Sequence, residues 1–134
     1  RLQITAVPTA QAMRDAVAAG NTDTHQAAGL IGPGTGFAVL HISEPPSTLA
    51  VGTLQPVIDE FVARGGASHI DYVHGDDVVE RLGQAPGQLG IHLPTVAKSD
   101  LLRMVVREGP LPRKTFSMGE AHEKRFYVEA RRIR

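Results

Sequence analysis

The chain has 134 residues, 42% hydrophobic and 21% charged, with 14 basic and 14 acidic side chains and no cysteine. That composition is ordinary for one globular domain and excludes disulfide and thiolate chemistry. Only 4% of the residues are aromatic, so stacking platforms for bases are scarce and the core must rest on Val, Leu, Ile and Ala. No apolar run approaches the ~20 residues of a membrane span, and no signal-peptide pattern opens the sequence. The expectation is therefore a cytoplasmic protein with no membrane partner. The first residue is Arg1, not Met, and residues 1–134 are expected to form a single domain excised from the C-terminal part of a longer protein.

Thr9 caps a predicted helix that runs to Ala19, with Ala10, Met13 and Val17 on one face and Gly20 as its stop. Two apolar runs, Ala27–Ile31 and Phe37–Ile42, flank Gly32-Pro33-Gly34-Thr35-Gly36 and predict a β-hairpin. A phosphate-binding loop of similar composition would need a Lys-Ser or Lys-Thr pair opening a helix, and here a strand follows. Pro45 and Pro46 exclude helix from the connector Ser43–Thr48. After Thr53, the residues Leu54, Val57, Ile58, Phe61 and Val62 recur at i, i+3, i+4, i+7 and i+8, which predicts an amphipathic helix ended by Gly65-Gly66. Pro56 falls in its first turn, where no intrahelical bond is lost.

Ile70, Tyr72 and His74 alternate with polar neighbours as a strand does, and Asp77-Val78-Val79-Glu80 fits a capping box for a short helix ending at Gly83. Leu89–Leu93 predicts a short strand stopped by Pro94. A helix from Ser99 would turn Leu101, Leu102, Val105 and Val106 inward before Gly109, and Arg125–Ile133 would form a last strand. The expected fold class is mixed α/β (α+β). A single mixed sheet would carry helices packed on it, with a hairpin near the N-terminus, some parallel pairing through crossovers, and antiparallel strands at the C-terminus.

The charge is unevenly spread. Residues 1–100 carry five basic and ten acidic side chains, whereas residues 101–134 carry nine basic and four acidic. The basic end includes Arg113-Lys114-Thr115-Phe116-Ser117-Met118-Gly119-Glu120, the densest polar stretch of the chain. Arg113, Lys114, Thr115 and Ser117 form a candidate anion-binding set: a planar guanidinium fork, a mobile ammonium and two hydroxyls. The competing reading is a solvated edge segment. Glu120, or His122 beside it, is a candidate general base toward a ligand held there.

His74-Gly75-Asp76-Asp77 marks a second candidate, at the end of a predicted strand and the start of a helix, where ligands collect in α/β sheets. His74 and Asp76 are its candidate catalytic residues. Two carboxylates there would also suit Mg²⁺ with a nucleotide, and they would equally serve as helix caps. His41, His69 and His92 lack metal spacing and are read as structural. His69 and His74 would point to opposite faces of a strand, so no zinc site is expected.

The segments Ser68-His69-Ile70-Asp71-Tyr72-Val73-His74-Gly75, Lys98-Ser99-Asp100-Leu101-Leu102 and Leu111-Pro112-Arg113-Lys114-Thr115-Phe116-Ser117 resemble the C-terminal part of the domain-of-unknown-function family numbered 1015. The ending His122-Glu123-Lys124-Arg125-Phe126-Tyr127-Val128-Glu129-Ala130-Arg131 is similar too. The resemblance spans about residues 27–133 and implies a longer bacterial protein, many of whose relatives carry the label ParB/RepB-like. Relatives of the ParB fold include DNA-segregation proteins and nucleotide-using kinases of free serine.

Three functions follow as expectations. The first is a domain of a metabolic enzyme that binds a small anionic molecule, phosphorylated or carboxylated, with Mg²⁺ and a nucleotide as one form of that ligand. The second is a ParB-like nucleic-acid-binding or regulatory module. Zero net charge, few aromatics and no helix-turn-helix pattern speak against nucleic acid as a partner. The third is a structural half whose partner is the missing N-terminal region of the same protein, marked by an exposed apolar patch.

Overall fold

The computed structural model describes residues 1–22, 24–96, 105, 106 and 109. Four strands, β1 (Leu2–Val7), β2 (His25–Gly32), β3 (Gly36–Ser43) and β4 (Gly90–His92), form one sheet in the order β1-β3-β2-β4. Three helices, α1 (Ala10–Ala19), α2 (Ala50–Ala63) and α3 (Asp76–Gly83), complete a mixed α+β fold. Every described pairing is antiparallel. The parallel pairing expected from crossovers is absent among the described strands because residues 70–74 do not join the sheet.

Register divides the sheet into two faces, since partners directly opposite one another point the same way. One face carries Val7, Phe37, Val39, Ala27, Gly29, Ile31 and His92, and the other carries Leu2, Ile4, Ala6, Ala38, Leu40, Ile42, Gln26, Ala28, Leu30 and Ile91. The core lies on the first: Met13 and Val17 of α1 are buried against Ala27, Ile31 and Val39, with Val7, Phe37 and Val79 packed around them.

Local chemistry explains the elements. Thr9 caps α1 by accepting from the Ala12 N–H at 3.1 Å, and the Gly20 N–H closes it on the Ala16 carbonyl at 2.9 Å. Asn21 then ties the helix end to β2. Its Nδ2 donates to the Val17 carbonyl at 2.6 Å, and its Oδ1 accepts from the Ala27 N–H at 3.2 Å. In the β2–β3 hairpin Gly32 pairs with Gly36, whose φ of 63° supplies the left-handed residue that a three-residue loop needs.

Three expectations change. β1, which the sequence reading passed over, is a regular six-residue edge strand. The α2 helix starts at Ala50, three residues before Thr53, which puts Pro56 inside the helix rather than in its first turn, and it buries Ala50, Val51 and Thr53. Its stripe is not a core stripe: Val57 and Phe61 are 62% and 57% exposed. Val105 and Val106 are helical, and the Gly109 N–H donates to the Val105 carbonyl at 3.0 Å, but both valines are exposed rather than inward. The remaining expectations for residues 97–104 and 110–134, the final strand included, lie outside the described residues.

Met13 is fully buried and sits over Gly29, where a Cβ would lie 2.6 Å from its Sδ. Met13→Ala should lower unfolding free energy by about 2–5 kcal/mol, because it removes buried apolar atoms and leaves a cavity between α1 and β2. Urea denaturation followed by circular dichroism measures this directly.

Candidate functional site

The site grows from the way α3 is held. Its side chain Val79 packs against the core cluster, and Glu80 forms an ion pair with Arg14 of α1, at a place where both side chains are mostly buried. Gln11 accepts a further bond from Arg14 at 2.8 Å and so orients the guanidinium. At the other end of α3 the backbone comes down onto the sheet. A Cβ on Gly83 would lie 2.8 Å from the Gly90 nitrogen and 3.0 Å from the Ile31 carbonyl oxygen. Only glycine permits that approach.

Held this way, α3 brings its first residue to β4. The Asp76 Oδ1 lies 3.5 Å from the His92 Nδ1, with the His92 side chain 16% exposed and that of Asp76 59% exposed. An ion pair forms when the imidazole is protonated. The arrangement is a carboxylate–imidazole contact at the edge of the sheet.

Gly75 precedes α3 with φ of 102°, a conformation that side-chain-bearing residues rarely adopt, and it serves as N-cap without any side-chain hydrogen bond. The capping box expected at Asp77 and Glu80 is therefore not formed, and neither aspartate caps the helix. Both occupy the first turn, where they complement the helix dipole.

Of the residues singled out from sequence, the structure places His74 and Asp76 on either side of Gly75, His74 at an exposed position outside any strand. Arg113, Lys114, Thr115, Ser117 and Glu120 lie outside the described residues. His92, read from sequence as structural, is the side chain that meets Asp76. No spacing rule could find it, because the two are joined only by the packing of α3 on β4. His69 lies 3.3 Å from Asp71, and both are largely exposed. Among the described residues no three His, Asp or Glu side chains gather as a metal site. Likewise, no described helix is long and apolar enough to cross a membrane.

Gly83→Ala should cost about 1–3 kcal/mol of stability, since the new methyl meets backbone atoms that cannot rotate away. Chemical denaturation of the variant beside Met13→Ala reads the loss. Neither a scan against protein-family models nor searches of curated proteins and of solved structures return a significant match for this chain.

Proposed function

We propose that this domain binds a small anionic ligand, phosphorylated or carboxylated, as part of a metabolic enzyme. The observation that supports the reading is the Asp76–His92 pair, 3.5 Å apart at the start of α3. A carboxylate-oriented imidazole is the ordinary means of moving a proton to or from a bound molecule. The surroundings of that pair are acidic, with Asp76 and Asp77 in the first turn of α3 and Glu80 already engaged by Arg14. An anion therefore needs cations from elsewhere, and Arg113 and Lys114, with Thr115 and Ser117, supply the right groups in this reading. Mg²⁺ carried by a nucleotide would serve the same end, since it needs only one or two protein carboxylates beside phosphate oxygens.

A second reading has its own observation. The exposed Val57 and Phe61 of α2 fit a structural half that packs on an N-terminal region of the same protein. Replacing both by Ser should leave the melting temperature of the 134-residue chain in place and lower it in a protein that carries the N-terminal region. Equal melting temperatures before and after replacement in both proteins remove this reading.

Titration with nucleotides and phosphorylated metabolites, with and without Mg²⁺, tests the first reading by thermal shift. Lys114→Ala should abolish the shift while changing the unliganded stability by no more than ~0.5 kcal/mol. The lost charge-assisted bond corresponds to about 1.5–3 kcal/mol, or tenfold or more in affinity. Arg113→Lys should weaken binding as well, because an ammonium cannot reproduce the guanidinium fork. No shift from any of these ligands would end the anion reading.

A further inference from the structure

We draw no further inference here: the strongest candidate, the buried amide of Gln26 on β2 beside the start of α2, whose Oε1 has no hydrogen-bond partner, carries nothing because that oxygen is sealed from solvent and nothing in the structure shows a ligand that would reach it.

Discussion

The fold depends on how closely two helices can approach the centre of the sheet. β2 supplies Ala27 and Gly29 on the face that α1 covers, one a fully buried alanine and the other without a side chain. Small residues there let α1 settle until Met13 occupies the space a Cβ on Gly29 would need. The same economy of size recurs where α3 meets β4, with Gly83 against Gly90 and Ile31. Helix-to-sheet distance is thus set by absent side chains as much as by present ones, and dense packing converts that closeness into dispersion energy.

That closeness is also what creates the candidate site. Asp76 and His92 are separated by a helix, a turn and a strand, and neither could find the other by local preference. α3 is positioned at three places: Val79 in the core, Glu80 on Arg14, and Gly83 on the backbone of β4 and β2. With those places fixed, the first residue of the helix has little freedom relative to His92. The pair sits on packed secondary structure rather than on a free loop, which fixes its geometry.

Much of this frame was readable from residues alone. Thr9, Gly20 and the 3.6-residue pattern located α1, and the glycine-rich loop located the hairpin, because caps and turns are local chemistry. The α+β class was read from the hairpin and the alternation of strands and helices, of which the short strand expected at Leu89–Leu93 forms as Gly90–His92. β1 escaped because six residues of mild alternation, Leu-Gln-Ile-Thr-Ala-Val, become a strand only when β3 is beside them. Residues 70–74 alternate as clearly and yet form no strand of the described sheet, so alternation names a capacity for sheet formation and not its use. Asp76 stood out through its neighbours in sequence, whereas His92 offered no local signal at all.

The α2 helix carries the same lesson into energetics. Its apolar residues recur at i, i+3, i+4, i+7 and i+8 from Leu54, yet the residues it buries, Ala50, Val51 and Thr53, precede that stripe. The helix is anchored at its start, where Gln26, nearly fully buried on β2, donates to the Ser47 carbonyl at 2.7 Å just ahead of the first turn. From there Val57 and Phe61 face water. Periodicity reports that one side of a helix is apolar, and which body it meets is decided by topology. Among the described residues, α2 and the edge strand β1 both expose apolar side chains, on two separate surfaces. Those surfaces obey different rules. A helix stripe accepts any apolar partner of suitable shape, whereas a strand edge also demands a match of hydrogen bonds at fixed spacing. The edge of β1 is therefore the more selective of the two.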